Sequence, residues 1–175
     1  MYGAFDTIEN RPALRFERRL SHPVEVVWRA ITESDELGHW FPSRVEVDEL
    51  HPGAAMTFRF ESMPLKDAPM TLSGRVTEFE PPRLFAFDWG PPSHEDHLRF
   101  ELEPAGDDAC TLRLTVLLDQ REKAARDGAG WHVCLDRLET GLAGRGEASP
   151  GEDWRGLYEE YQRRGVPAGA PIPGE

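Results

Sequence analysis

The stretch GWHVCLDRLETGL, residues 130–142, decides how this chain folds. Its large apolar residues recur at the spacing of a single helix face: Trp131, Leu135, Leu138 and Leu142. An amphipathic helix of this kind needs a large apolar surface to pack against. Because the residues before it alternate between apolar and polar, we predict one long helix gripped by a curved antiparallel sheet.

The pattern before this helix changes period twice. Ala13–Leu20 alternates with period two and predicts a first strand, after which apolar residues recur at helical spacing from Val24 to Trp40. Two short helices are therefore predicted between the first and the second strand. From Arg44 the alternation returns and continues to Leu118, which predicts six further strands and about seven in all.

The apolar residues that face inward in this scheme are candidates for lining a ligand cavity. They are Met56, Phe58, Phe60, Leu72, Phe85, Phe87, Trp89, Leu98, Phe100, Leu114, Trp131, Leu135 and Leu138. A curved sheet closed by one helix has more concave surface than the helix covers. These residues therefore either line a small-molecule cavity, typically about 300–1,000 Å³ in volume, or fill a core with their own side chains.

Three polar residues are predicted on the same inward face. Arg18 either pairs with a carboxylate at the sheet edge or projects into the cavity and meets an anionic ligand group. His94 and Asp96 either act there as a general base and polar anchor or are solvated residues after the Pro91-Pro92 turn. We predict all three as ligand-binding residues and none as catalytic.

Other chemistries find little support in the sequence. His94 and His97 lie three residues apart on a predicted strand and point to opposite faces, so a shared metal is not expected. There is no Gly-x-Ser-x-Gly elbow and no phosphate-binding loop, and we predict no cofactor.

The remaining candidates are two cysteines and one histidine–aspartate pair. Cys110 and Cys134 cannot make a disulfide framework or a four-ligand metal site, so two reduced, partly buried thiols are expected. His132 and Asp136 are four residues apart on the long helix. We predict that they form a surface pair rather than a catalytic dyad.

Composition limits the classes of partner. The chain has 175 residues, 39% of them hydrophobic and 30% charged, which is typical of one globular domain. Its net charge of −12 argues against nucleic acid and anionic membranes and favours a monomer or weak dimer. The start of the chain lacks a signal-peptide pattern, and no apolar run reaches the roughly 20 residues of a membrane span, so a cytoplasmic location is expected.

The composition changes after Gly144 to glycine, proline, alanine and acidic residues. Within this tail, Trp154, Leu157, Tyr158 and Tyr161 recur at helical spacing and predict a short helix at about residues 152–164, docked on the domain or on a protein partner. Residues 166–175 are expected to be disordered. The predicted organisation is an arm at 1–12, a folded domain at 13–145 and a tail at 146–175.

Several stretches of the sequence are also distinctive motifs. These are Glu17–Pro23, Val27–Thr32, His39-Trp40-Phe41, Gly74–Leu84, Asp88-Trp89 and Gly130-Trp131 with Leu135 and Leu138. In this order they resemble the SRPBCC, or START-like, superfamily over about residues 13 to 144. Within it they resemble the family similar to the activator of heat-shock protein 90 ATPase homologue. His22 departs from the pattern, since relatives usually have a small residue there.

This resemblance implies an α+β helix-grip fold with a hydrophobic cavity between the sheet and the C-terminal helix. Members of the superfamily use such cavities to hold lipids, sterols, polyketides and plant hormones, and the family has no invariant catalytic set to carry over. We therefore expect a non-enzymatic protein that binds a small hydrophobic or amphipathic molecule. The alternatives are a cyclase, aromatase or hydrolase-like enzyme using the same cavity, and a chaperone-associated or other protein-interaction module.

Overall fold

The structure, a computed structural model, describes residues 1–60, 69–91, 93–144 and 154–172. Its strands are β1 (Ala4–Ile8), β2 (Arg11–Leu20), β3 (Arg44–Glu46), β4 (Ala55–Phe60), β5 (Met70–Glu80), β6 (Leu84–Trp89), β7 (Asp96–Pro104) and β8 (Cys110–Leu117). Its helices are α1 (Val24–Thr32), α2 (Ser34–Leu37), α3 (Ala124–Leu142) and α4 (Trp154–Arg163), and a 3₁₀ turn at Arg121–Lys123 precedes α3. No helix in these ranges is both long and apolar enough to cross a membrane.

The strands form a single antiparallel sheet in the order β1-β2-β8-β7-β6-β5-β4-β3. Strands β7 and β8 alternate between buried and accessible residues, as the period-two pattern predicts. A register shift between Val76 and Glu78 marks a bulge in β5, a feature that increases the local bend of a strand. The predicted curved sheet with two helices between strands and a long C-terminal helix is confirmed.

The long helix α3 packs its predicted stripe into this sheet. Trp131, Leu135 and Leu138 are all buried, and α3 contacts β2 on one side and α4 on the other. The helix continues through Gly128, although glycine costs about 1 kcal/mol relative to alanine in a helix interior. The ring of Tyr161 explains this glycine, since a Cβ atom there would lie 3.3 Å from the ring.

Strand β1 was not predicted. Residues 1–12 were expected to form an arm, but Ala4–Ile8 is a strand. This segment pairs with Arg11–Arg15 of β2 through a tight hairpin. The two turn residues, Glu9 and Asn10, have φ angles of 52° and 64°. Asparagine adopts this left-handed conformation readily, but glutamate does not. Only one of the two turn residues is therefore of a type that indicates a hairpin.

The tail is more ordered than its composition indicates. Helix α4 lies within the predicted range and buries Leu157 and Tyr161. Residues 166–172 were expected to be disordered, but Val166 is buried and the amide of Ala125 donates to the carbonyl of Pro167 at 2.8 Å. The amide of Ala170 likewise donates to the Glu122 carbonyl. Two prolines, Pro64 and Pro69, predict a loop at 62–69, which falls almost entirely outside the described residues, as do residues 173–175.

Candidate functional site

A small void lies between the sheet and the region from α1 to β3. Ten residues line it, all of them apolar: Ile31, Leu37, Trp40, Phe41, Val45, Met56, Phe58, Phe85, Phe87 and Phe100. Its volume is about 10 Å³. A single water molecule needs roughly 10–15 Å³ by the same kind of measure, so the void holds one water at most. The space among these ten residues is thus almost entirely filled by their own side chains.

The void has two walls of different construction. The sheet wall comes from β3, β4, β6 and β7. The opposite wall comes from the end of α1 and from residues 34–43, which run from α2 to the start of β3 and which we call the cover segment. The void therefore lies under the cover segment, and the predicted cavity between the sheet and α3 stays a prediction.

Phe41 is the central residue of the cover segment. Its ring centroid lies 5.9 Å from that of Phe58, 5.9 Å from Trp89 and 5.7 Å from Trp131. These distances fall in the range of favourable aromatic pairs. Phe41 therefore occupies the volume that would otherwise connect the void with the space beside α3.

The predicted apolar residues divide into three groups around this void. Met56, Phe58, Phe85, Phe87 and Phe100 line it directly. Phe60, Trp89 and Trp131 belong to the aromatic cluster around it. The remaining ones lie in the same core without reaching the void, four of them fully buried and one partly: Leu98, Leu114, Leu135, Leu138 and Leu72.

Half of the lining was missed by sequence reasoning. Ile31, Leu37 and Trp40 belong to the two predicted helices, Phe41 follows them, and Val45 belongs to the predicted strand after them. The spacing of these residues indicates which side faces inward but not how far each side chain reaches. The two adjacent aromatic residues of His39-Trp40-Phe41, in a connecting segment, are a usable signal.

Arg18 is buried as predicted, but it meets a carboxylate of the chain itself. Its guanidinium donates to Asp136 Oδ1 at 3.1 Å and to the Glu17 carbonyl at 3.2 Å. Burial acts to raise the pKa of Asp136, but hydrogen bonds from His132 and Arg18 outweigh it and hold the pKa below its usual range. The first of the two interpretations of Arg18 is therefore confirmed, with its partner on α3 instead of at the sheet edge.

Asp96 and His94 do not converge with Arg18 on the void. Asp96 is buried at the start of β7, where it accepts bonds from Lys123 Nζ at 2.6 Å and from the Asp119 amide at 2.9 Å. Burial raises the pKa of Asp96 to about 6, against the opposing effect of Lys123. His94 precedes the strand with its side chain 62% exposed, 3.2 Å from Asp119. Its predicted inward orientation is wrong, because the strand begins only at Asp96.

The His132 and Asp136 pair exists, but it is not on the surface. His132 is only 4% exposed; its Nε2 lies 3.2 Å from Asp136 and its Nδ1 lies 3.2 Å from the Tyr161 hydroxyl. That hydroxyl also accepts the Gly3 amide at 2.8 Å, and burial raises the pKa of Tyr161 to about 12. We call Arg18, Asp136, His132 and Tyr161 the polar network; Tyr161 of α4 contacts His132, while the side chain of Asp136 is 39% exposed.

The remaining titratable candidates are structural. Cys110 and Cys134 are buried thiols without a disulfide, as predicted, and burial raises the pKa of Cys134 to about 12. A thiol with so high a pKa is a poor nucleophile at neutral pH. His97 pairs with Asp88 at 2.8 Å, away from His94. Within the described ranges, no group of three or more potential ligands could hold a metal ion.

An antiparallel sheet that grips a long C-terminal helix, with an aromatic interior between them, defines the helix-grip class of proteins. The family model described as "Activator of Hsp90 ATPase homolog 1-like protein" matches residues 21–143, and the chain belongs to this family. That match leaves β1, β2 and the tail outside it.

Solved structures show the same fold. CalU16 from Micromonospora echinospora is 22% identical with a TM-score of 0.69, over 93% of each chain. A conserved protein of unknown function from Enterococcus faecalis is 21% identical with a TM-score of 0.70, over 93% of this chain and 89% of that one. A protein from Bordetella parapertussis is 30% identical with a TM-score of 0.70, over 87% and 85%. A search of curated proteins returned no match.

Proposed function

We propose that this protein binds a small hydrophobic molecule without transforming it, and that the ligand enters between the sheet and the cover segment. The observation that carries the proposal is the void, because all ten side chains around it are apolar and six of them are aromatic. Apolar pockets with few polar groups are the usual form of small-molecule sites. Because the void is smaller than any such ligand, binding requires the cover segment to move.

The backbone hydrogen bonds of the cover segment are local, since the amides of residues 37–41 donate to carbonyls of residues 33–37. Helix α2 is a single turn of four residues, and Gly38–Ser43 has no helix or strand structure. Trp40 Nε1 donates to the Ala30 carbonyl at 2.8 Å, which ties the middle of the segment to α1. By contrast, α3 has 19 residues and packs between the sheet and α4. Short segments with only local backbone hydrogen bonds open at a lower free-energy cost than long packed helices.

Phe41 is the side chain that a ligand would replace. It lies among Phe58, Trp89 and Trp131, so its rotation away from them adds about the volume of one aromatic ring to the void. An aromatic ligand in that position regains the ring contacts that Phe41 gives up. The measured affinity is then the intrinsic affinity reduced by the fraction of molecules in which Phe41 has moved.

The lining also restricts the charge of the ligand. None of the ten residues carries a charge, and Arg18 and Asp96 are engaged in ion pairs elsewhere. An ionised group would be transferred to this site without a partner, at a large free-energy cost. The ligand is therefore uncharged.

The two alternatives lack a comparable observation. An enzyme in the same space needs titratable groups at the void, and its lining has none. An interaction module needs the apolar face of α4 to be available, but Leu157 and Tyr161 pack against the chain's own α3.

The proposal is tested by titrating the protein with toluene and following tryptophan fluorescence, since Trp40, Trp89 and Trp131 surround the site. We expect saturable binding to the wild type and about tenfold tighter binding to Phe41→Ala, because the variant no longer spends free energy on moving the ring. Phe41→Leu, which disturbs folding less, should show a smaller gain in the same direction.

The matched control is Phe79→Ala, which truncates a partly buried phenylalanine beside Trp28 and outside the lining. Its toluene affinity should equal that of the wild type. Absence of saturable binding to the wild type would contradict the proposal, and so would equal gains in Phe41→Ala and Phe79→Ala.

A further inference from the structure

We infer that the hydroxyl of Ser43 is the polar anchor of this site, so that the ligand is a small, uncharged, largely apolar molecule carrying a hydrogen-bonding group, such as a phenol. This inference rests on the proposed function and specifies the chemistry of its ligand. Ser43 belongs to the cover segment and was not among the residues that the sequence indicated.

The burial pattern places the side chain of Ser43 on the inner side of the cover segment. Phe41, Ser43 and Val45 are buried, whereas Pro42 and Arg44 between them are exposed. The first and the last of the three buried residues line the void. Ser43 therefore has a lining residue two positions away on either side.

The pairing of β3 with β4 leads to the same orientation. Val45 lies opposite Phe58, so continuing the register by two residues brings Ser43 opposite Phe60. Residues opposite each other in an antiparallel pair share a face of the sheet. Phe60 is buried and its ring lies 6.1 Å from that of Trp89, within the aromatic cluster around the void.

The hydroxyl of Ser43 is also unsatisfied. Ser43 is 6% exposed, and its Oγ has no hydrogen-bond partner among the residues that the structure describes. Such a group has lost its hydration without compensation, and native proteins rarely leave one in this state. The other two unpartnered atoms are Arg18 Nε, on a guanidinium that already makes two bonds, and Thr77 Oγ1, at the bulge of β5.

A water molecule is a poor partner for Ser43 in this position. Buried waters typically make about three hydrogen bonds, with a range of 2–4. The lining of the void is apolar, and its one side-chain donor, Trp40 Nε1, already donates to Ala30. A water there would have Ser43 as its only side-chain partner. A ligand with an apolar body and one polar group satisfies both the hydroxyl and the aromatic walls.

The serine hydroxyl is both a donor and an acceptor, so it accepts a phenol and donates to a carbonyl equally well. It carries no charge with which to select an ion. The anchor therefore discriminates between molecules of equal shape that differ in one polar group. Phenol and toluene form such a pair, because a hydroxyl replaces a methyl group of similar size.

The experiment compares phenol and toluene as probes for the wild type and for Ser43→Ala by isothermal titration calorimetry. We expect the substitution to weaken phenol binding by about tenfold, the size of one buried hydrogen bond, and to change toluene binding by less than about twofold. Ser73→Ala, an exposed serine on β5, is the matched control and should leave both affinities unchanged.

The outcomes separate the two proposals. Saturable toluene binding with equal effects of Ser43→Ala on both probes overturns the anchor and leaves the proposed function standing. If neither probe binds the wild type, both proposals fail. The melting temperature provides an independent check: since the hydroxyl has no partner, Ser43→Ala should not lower it, whereas a clear loss of stability would assign Ser43 a structural role and contradict the anchor.

Discussion

Two neighbouring residues of α3 face regions of opposite chemistry. Trp131 contacts the aromatic cluster around the void, with its ring 5.7 Å from those of Phe41 and Trp89. His132 faces the polar network, between Asp136 and Tyr161. The titratable residues of the polar network thus form hydrogen bonds with each other in the fold. The apolar region contains the void, and the cover segment above it contains the unpartnered hydroxyl of Ser43.

This comparison indicates where function is to be sought in a helix-grip protein of this kind. A polar group whose hydrogen bonds are made within the chain contributes to stability and is unavailable to a ligand. A void lined by apolar side chains, under a segment that contains an unpartnered hydroxyl, has interactions still to make. Substitutions in the polar network should therefore change stability and leave toluene binding intact, and the following predictions test this separation.

The largest effect is expected for Asp136→Ala. This substitution leaves the guanidinium of Arg18, which is 5% exposed, without its carboxylate partner. We expect the free energy of unfolding to fall by about 2–3 kcal/mol, below the 3–5 kcal/mol range for fully buried pairs because Asp136 is partly exposed. Urea denaturation measures it. Asp6→Ala, which breaks an exposed pair with Arg15, should cost less than about 1 kcal/mol; equal losses would show that the polar network is not structural.

The second prediction concerns pH and Asp96. Burial raises the pKa of its carboxyl to about 6 in the folded protein, above the ordinary value of 3.8. Between these two values the folded state binds more protons than the unfolded state, so this residue lowers stability as pH rises from about 4 to 6. Asp119 and Asp136, whose pKa values are lowered, act in the opposite sense at lower pH.

Asp96→Asn removes this contribution. Relative to the wild type, the variant should gain about 2 kcal/mol in unfolding free energy between pH 4 and pH 7, whatever its absolute stability. The measurement is a series of urea titrations across this range. Asp107→Asn, in an exposed turn, should run parallel to the wild type at every pH. A parallel curve for Asp96→Asn would contradict the account of Asp96.

The smallest effect is expected for Tyr161→Phe. The ring stays packed against Gly128, while the hydroxyl that meets the Gly3 amide and His132 is lost. We expect a loss of about 1–2 kcal/mol in unfolding free energy, the cost of leaving a buried amide and an imidazole nitrogen less well bonded. Tyr158→Phe on the same helix serves as the control, with a change near zero. A change in toluene affinity in Tyr161→Phe would break the separation of the two regions.

The sequence predicted the parts of the fold that depend on periodic patterns. Two patterns show which face of an element is buried: the stripe of Trp131, Leu135 and Leu138, and the alternation along the strands. The buried face determines how each element packs, so these patterns predict the fold. Strand β1 was not predicted because its hairpin turn places a glutamate, Glu9, at a positive φ angle. Such a turn has no clear mark in the residue types.

The candidate site was less predictable, for a physical reason. Spacing identified the pair of His132 with Asp136, but its burial depends on Tyr161, which is 29 residues away from His132 in the sequence. Ser43 carried no signal either, because a serine in a connecting segment is usually solvated. Whether a polar group is satisfied depends on contacts between distant segments, and these do not follow from local pattern.

The central claim is that a ligand replaces Phe41 beneath the cover segment. The most direct test is a nuclear Overhauser spectrum of the wild-type protein saturated with toluene. The account predicts contacts from the toluene methyl group to the rings of Phe58, Phe87 and Trp131, together with loss of the contacts between Phe41 and Trp131. Contacts confined to the tail residues Trp154 and Tyr158, or a Phe41 ring unchanged at saturation, would contradict it.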